Sequence, residues 1–476
     1  MAPASNIDKT VAAVLKRITP SDAEKRRVLP LAKILVKKVE EAAKEAKVKA
    51  EVRVEGSVAK DTWLKHEPDI DIFLQLPTSI PREELGTICL GIARQATKGS
   101  KQVERFAEHP YLEAFVDGTR VNIVPCYKTK RGEWMSATDR TPYHTDFIRP
   151  RLSDEMRSEI RLLKQFMKGV GVYGAEIKVG GFSGYLCELL ALRFGTFASV
   201  LQTASNWRKP WIIDYMDYYK DREDEISKIF SEPLVVIDPV DKGRNVASAV
   251  REQRLVEFIA ASRQFLQHPA ESFFFPARPK PVSQKQLFSN FEKRGTALVF
   301  VKVGRVKAVP DILWGQLYRT QRSLCNMLSQ NSFHVVNDAV WSSEDDLSVL
   351  LFEVEHRCLP HAKKHSGPPI DKRVECERFL KKHLGARTTV SGPRLEDQRW
   401  VVHVRRRYVD VVELLRSELK HGGRQVGVAG LVSKAVRRNM EILVDQEIAD
   451  IYKVHTDFAE FLTGYIDGRP RWLKAS

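Results

Sequence analysis

Residues 69–77 read DIDIFLQLP, a run that alternates with period two and carries two aspartates one residue apart. Successive side chains of a strand point to opposite faces, so Asp69 and Asp71 project together while Ile70, Ile72 and Leu74 pack behind them. Two adjacent carboxylates repel unless a cation lies between them, and hard oxygen ligands of this kind suit Mg²⁺. The competing reading is a polar, solvent-facing strand edge. The residues upstream favour the cation. Gly56 and Ser57 close the preceding alternating run, VKAEVRVEG, just before a short expected helix. Glycine lets the backbone approach a phosphate closely, the Ser57 hydroxyl and the first helical N–H groups donate to its oxygens, and Lys60 adds a cation one turn later. A phosphate cradle followed by a metal-holding strand suits nucleotidyl transfer, in which two metals about 4 Å apart activate a hydroxyl and grip a triphosphate.

Around this stretch the pattern is that of a multidomain α+β protein. Ser21 followed by Glu24 forms a capping box that opens a helix over residues 20–47, TRVNIVPCY (119–127) is a third alternating strand, and residues 82–99 are helical. A mixed α/β domain is therefore expected over 1–145. Residues 146–272 turn helical, interrupted by the apolar run PLVVIDPVD and a KGRN turn. The Pro-rich FFFPARPKPVS marks a boundary, followed by a β-α-β order over 273–385 and a basic α/β tail over 386–476. A length of 476 residues accommodates roughly three domains or more.

Lys and Arg number 77 against 61 Asp and Glu, a formal net charge of +16, which favours a polyanionic partner, nucleic acid ahead of membrane. The six cysteines, Cys89, Cys126, Cys187, Cys325, Cys358 and Cys376, form no CxxC pair and fit reduced thiols in a cytoplasmic protein. Neither a signal peptide nor a membrane span is expected.

The stretches GSVAKDTW, DIDIF, VNIVPCY, DRTPYH, RLLKQF, GVYGAEIKVGGFSGYLCELL and VVIDPVDKGRNVA follow one another in the order, and close to the spacing, of the archaeal (class I) CCA-adding enzymes. These are tRNA nucleotidyltransferases of the polymerase β superfamily, and the resemblance runs from about residue 20 to beyond 460. It implies a polymerase β-like catalytic head, a helical base-binding neck, and a body and tail that contact tRNA. It further implies Mg²⁺ on Asp69 and Asp71, triphosphate contacts from Ser57 and Lys60, and nucleotide contacts from His144, Lys164 and Tyr173. Arg244 resembles the arginine that helps to read the incoming base, where a planar guanidinium suits cytosine and adenine. The family commonly has Arg at the place of Lys60, so the lysine keeps the charge but loses a bidentate fork. The implied partners are the tRNA acceptor stem and 3′ end, CTP and ATP, with a homodimer left open. VRRRY (404–408) and VSKAVRRN (432–439) are candidate backbone-contacting segments.

The chain departs from the pattern at the third strand, where the family's third carboxylate corresponds to Asn122. An amide keeps an oxygen ligand and loses the charge, so nucleotide binding is expected to survive while transfer slows. Asp117, five residues along the hairpin, lies on the opposite face or beyond the turn and is not expected to substitute. Three functional readings stand: CCA addition, an acceptor-binding homologue silenced at Asn122, and another RNA 3′-end nucleotidyltransferase, against which GFSGYLCELL argues. Asn122 itself fits a natural active enzyme, a homologue of lost or changed activity, or a deliberate substitution. His356, Cys358, His361 and His365 have spacings open to zinc, but the segment reads better as a mobile surface loop.

Overall fold

A computed structural model describes residues 4–473 except 107 and 210. It divides into two compact units, Met1–Arg278 with Pro470–Ser476, and Pro279–Arg469.

The first unit contains a five-stranded sheet in the order β1-β2-β5-β4-β3, formed by β1 (Glu51–Glu55), β2 (Asp69–Leu76), β3 (Lys101–Phe106), β4 (Pro110–Val116) and β5 (Thr119–Tyr127). β2 and β5 run parallel and the other pairs are antiparallel. Ile70, Ile72, Leu74, Val121 and Ile123 pack on the helices Asp22–Glu45 and Arg82–Ala96, which leaves the other face of the sheet polar. Ser21 Oγ caps the first of these helices by accepting from Glu24 N. The expected reciprocal bond is replaced, because the Glu24 carboxylate accepts from His66 N at 2.8 Å. β3 and β4 are additions to the three expected strands. A two-residue Asp117-Gly118 turn with φ of 48° and 69° links β4 to β5, so Asp117 sits beyond the strand as expected.

The helices Asp154–Val170, Gly184–Phe194, Phe197–Ala204 and Glu252–Gln267 bury a cluster built around Phe166, Phe182, Phe197, Phe258 and Phe265. Trp472, from the far end of the chain, stacks on Phe273 with ring centroids 5.3 Å apart. The expected KGRN turn is a strand: β6 (Trp211–Asp214), β7 (Leu234–Asp238) and β8 (Asp241–Asn245) form a small sheet in which β7 and β8 are antiparallel neighbours. Apolar residues alone announce β7, whereas β8 is polar and closes its hairpin through the Asn245 side chain, whose Oδ1 accepts from Val236 N.

In the second unit β9 (Ala297–Gly304), β10 (Val335–Ser342), β11 (Leu347–Val354) and β15 (Met440–Val444) form an antiparallel sheet in the order β10-β11-β9-β15, with separate apolar clusters on its two faces. β12 (Ala362–Pro369), β13 (Thr389–Glu396) and β14 (Arg399–Arg405) form a second sheet. Both sheets join segments from either side of residue 385, so no division of this unit falls where the tail was expected to begin. His365 lies in β12 and pairs with Val402, which corrects the loop expected there. Its prolines are tolerated because β12 is an edge strand. Among the described residues no group of three or more His, Cys, Asp or Glu could hold a metal, and no single helix is long and apolar enough to cross a membrane.

Candidate active site

The polar face of the five-stranded sheet gathers the expected carboxylates. In the register of β2 against β5, Asp69 stands beside Arg120 and Asp71 beside Asn122. Asn122 Nδ2 donates to Asp71 Oδ1 at 2.9 Å. Arg120 forks onto Asp69, with Nε donating to Oδ1 at 2.8 Å and Nη2 to Oδ2. Gly56, at φ +71°, brings the chain against Asp71, and a Cβ there would lie 2.2 Å from Asp71 Oδ2. Burial is the main influence on Asp71, pushing its carboxyl up to about 6 against the Asn122 hydrogen bond. This all-oxygen donor set, with a half-buried and incompletely balanced carboxylate, fits a hard divalent cation.

Behind the Gly56-Ser57 turn lies a buried ionic cluster. Lys60 Nζ is 2.5 Å from Glu188 Oε2 and Lys164 Nζ is 3.0 Å from Glu188 Oε1, while Thr62 Oγ1 donates to the same Oε1 at 2.8 Å. The three charged side chains are 6%, 3% and 1% exposed. Burial opposes ionisation of Glu188, yet Lys164 and Lys60 hold its carboxyl down to about 2. Burial likewise lowers Lys164. Two lysines share one carboxylate, which leaves a surplus positive charge in a low-dielectric setting. Ser57 belongs to the short helix Gly56–Lys60, and its carbonyl accepts from Thr62 N at 3.0 Å. Lys164 and Tyr173 converge on Gly184, whose Cβ would meet Tyr173 Oη at 3.1 Å and Lys164 Nζ at 3.8 Å.

His144 and Arg244 are brought together by Asp238. His144 Nε2 lies 2.9 Å from Asp238 Oδ2, and Arg244 Nη1 donates to the same oxygen at 2.6 Å. Tyr185 stacks on His144 with centroids 3.9 Å apart, and its hydroxyl donates to Asp238 Oδ1 at 3.2 Å. Lys60 Nζ lies 5.9 Å from the Tyr185 ring centroid, linking this cluster to the lysine pair. Burial works against the Asp238 charge, but His144, Arg244 and the Val240 N–H bring its carboxyl down to about 2. Burial is also the leading influence on His144 and lowers it, favouring the neutral ring.

Sequence reasoning missed Glu55, Thr62, Glu113, Tyr185, Glu188 and Asp238. Glu188 and Tyr185 carried a signal, being polar groups inside the apolar stretch GYLCELL. Glu55 and Glu113 become visible only through strand register, opposite Asp71 and Asn122 respectively.

The fold and this arrangement of carboxylates and cations define a nucleotidyltransferase, and residues 36–145 match the family model of the nucleotidyltransferase domain. Residues 158–275 match the second domain of tRNA nucleotidyltransferase, and residues 294–445 the C-terminal domain of the CCA-adding enzyme. CCA-adding enzymes of Methanothermobacter thermautotrophicus and Methanosarcina barkeri are 37% and 35% identical to the chain, each covering 95% of it and 97% of the relative. That of Haloarcula marismortui is 32% identical, over 97% of the chain and 99% of the relative. The chain belongs to the CCA-adding enzyme family.

Proposed function

We propose that this protein adds C, C and A in turn to the 3′ end of tRNA, taking CTP and ATP and releasing pyrophosphate without a nucleic-acid template. The observation that carries the reading is the continuity of the site: the sheet carboxylates adjoin Gly56, the turn leads into the Lys60, Lys164 and Glu188 cluster, and Lys60 reaches the Tyr185, His144, Asp238 and Arg244 group. Ser57, Lys60, Lys164 and Tyr173 bind the triphosphate end, where the surplus positive charge offsets phosphate charge. Arg244 is anchored by its Nη1 bond to Asp238 and presents its remaining donors to the base, while neutral His144 is fixed by Asp238 and Tyr185. Asp69 and Asp71 would hold Mg²⁺, which when bound neutralises phosphate charge and acidifies the attacking 3′-hydroxyl. Asn122 orients Asp71 by its hydrogen bond but adds no charge, and this slows transfer more than binding.

In the second unit, Lys434, Arg437 and Arg438 are exposed on the helix Gly430–Arg438, whose apolar residues Val432, Ala435 and Val436 face the core. These three, together with Arg405 and Arg407, which are also exposed, are the side chains we assign to the acceptor-stem backbone. Reduced thiols suit a cytoplasmic setting, and all six cysteines are free.

A second reading, an acceptor-binding homologue without transfer activity, draws on Asn122 and on the Arg120 fork that occupies Asp69. Incubating the protein and its Asn122→Asp variant with tRNA ending before CCA, Mg²⁺ and labelled CTP separates the readings. Extension by both supports CCA addition, extension by the variant alone supports the silenced homologue, and extension by neither refutes CCA addition.

A further inference from the structure

Two stretches of the chain supply the base-reading cluster, and each carries a second residue that has no part in the reaction as described. DRTPYH carries His144 and also Arg140, and DPVDKGRN carries Arg244 and also Asp241. Arg140 Nε donates to Asp241 Oδ2 at 2.7 Å, and the two side chains are only 18% and 17% exposed, so water screens the pair weakly. The Arg140 guanidinium lies 5.4 Å from the Trp134 ring centroid, and Trp134 is braced edge-on against Tyr143. Earlier in the same segment, Arg131 grips the β7–β8 hairpin at its turn, with Nη2 donating to Pro239 O at 2.6 Å and Nε to Val240 O at 3.3 Å. Tyr218 Oη closes the grip, accepting from Arg131 Nη2 at 2.8 Å and donating to Pro239 O at 2.6 Å.

The two ends of this clasp are fixed independently. On the side of the large sheet, Arg140 ends the short helix Ala137–Arg140. The buried Asp139 of that helix accepts from Met135 N, Ser136 N and Ser136 Oγ, and at 2.7 Å from the N–H of Tyr127, the last residue of β5. β5 also carries Asn122, beside Asp71. On the hairpin side, Asp241 Oδ1 accepts from Gly243 N at 3.1 Å, one residue before Arg244. β8 is a polar edge strand that pairs with β7 at Asp238–Asp241 and Ile237–Asn245, with an irregularity between them, so its own ladder holds it weakly. Asn245 anchors its far end through Val236 N and Leu234 O. Its near end is anchored by Arg140 and Arg131, and Arg244 lies between the two anchors. A guanidinium tells one base edge from another only where its donors meet that edge in line and within hydrogen-bond distance, and the interaction fails steeply away from that geometry.

We propose that Arg140 and Asp241, with Arg131 over the turn, are positioning residues for base selection: they fix the hairpin that bears Arg244 relative to the carboxylates of β2, so that a base is read at the place where its triphosphate is seated for transfer. Their effect on the nucleotide passes through Arg244. The inference rests on CCA addition as proposed, and it assigns a role to three residues outside the triphosphate and base contacts. Opening the clasp leaves Ser57, Lys60 and Lys164 in place, and so separates reading of the base from binding of the phosphates.

The test uses the full chain bound to a tRNA that lacks CCA and ends in a 3′-deoxynucleotide, so that nucleotide binding is read without transfer. Calorimetric titration gives the affinities for CTP, UTP and pyrophosphate, and the same tRNA with a 3′-hydroxyl gives CTP incorporation alongside. The parent is expected to prefer CTP to UTP. Arg140→Ala and Asp241→Asn, the second of which keeps an oxygen for Gly243 N, are each expected to reduce the CTP-over-UTP ratio by roughly tenfold while pyrophosphate affinity stays within about twofold. The double variant should lose no more than either single one, because the two residues act as a pair. Arg140→Lys keeps a charge facing Asp241 and should recover most of the ratio, and with Asp241→Asn it decides the matter if Arg140→Ala loses its fold. A ratio unchanged in Arg140→Ala and Asp241→Asn overturns the proposal even where the melting temperature falls, as does an equal loss of pyrophosphate affinity, which marks a general disturbance of the site. If the parent binds CTP no better than UTP and extends no tRNA, CCA addition fails and this inference with it. A parent that selects CTP and extends, with variants that match it, leaves CCA addition standing and removes only the clasp.

Discussion

Replacing Glu188 by Gln leaves two buried lysines sharing a neutral amide. Lys60 and Lys164 approach the carboxylate at 2.5 and 3.0 Å, and all three side chains are almost wholly withdrawn from water. Removing one member of a buried ion pair costs about 3–5 kcal/mol, mostly because the remaining charge stays uncompensated. The titration of Glu188 gives a similar figure: a carboxyl held at about 2 rather than the ordinary 4.5 corresponds to about 3 kcal/mol in favour of its ionised form. For a unit of this size the loss lowers the melting temperature by about 10 °C. Because the folded-state value is depressed, the contribution is present above the ordinary carboxyl value and is lost as pH falls toward 2. The gap between parent and variant in calorimetric scans should therefore be constant from pH 8 to about 5 and narrow below that. A loss under about 3 °C at pH 7.5 would refute the reasoning, as would a gap that widens on acidification.

Four further perturbations test other parts of the site. Glu55 is fully buried and burial raises its carboxyl to about 7, so the folded protein binds the extra proton and stability falls as pH rises from about 4.5 to 7. Glu55→Gln should stabilise by about 3 kcal/mol at pH 8 and have little effect at pH 5 in thermal melts; an equal effect at both values contradicts the assignment. Gly56→Ala puts a Cβ against Asp71 at a positive φ, and should cost about 1–2 kcal/mol and most of the incorporation rate, read by melting and extension assays. Asp238→Asn removes the charge that holds Arg244 and His144, and steady-state kinetics should show KM for CTP and ATP rising about tenfold, with weakened discrimination against UTP. Replacing Lys434, Arg437 and Arg438 together by Ala should reduce the slope of log affinity against log salt for tRNA by about 2, and an unchanged slope removes that helix from the interface.

The strands that place the site were legible wherever one face is apolar. β2 and β5 alternate cleanly, so Asp69 and Asp71 could be assigned to a common face from residue order alone, whereas Asn122 came to the site through the family resemblance and its place beside Asp71 is set by strand register. β3 reads KQVERF and β8 reads DKGRN, both without an apolar face, because each packs few side chains and is held by backbone pairing. Arg244 was thus identified but assigned to a turn. Glu188 interrupts an apolar helix, and its role depends on two lysines that lie 128 and 24 residues away in the chain. Arg120 was hidden for a related reason: its pairing with Asp69 follows from the parallel register of β2 and β5, which hydrophobic patterning leaves open. The boundary expected near residue 385 failed because β15 returns to pair with β9, a partner some 140 positions earlier that no local pattern records.

Intact-mass analysis of a tRNA ending before CCA, after incubation with the unaltered protein, Mg²⁺, CTP and ATP, tests the central claim directly. The account predicts a single product heavier by two cytidylates and one adenylate, and the same product when all four nucleoside triphosphates are present. A tRNA of unchanged mass with both the protein and its Asn122→Asp variant, or a tail of any other composition, would contradict it.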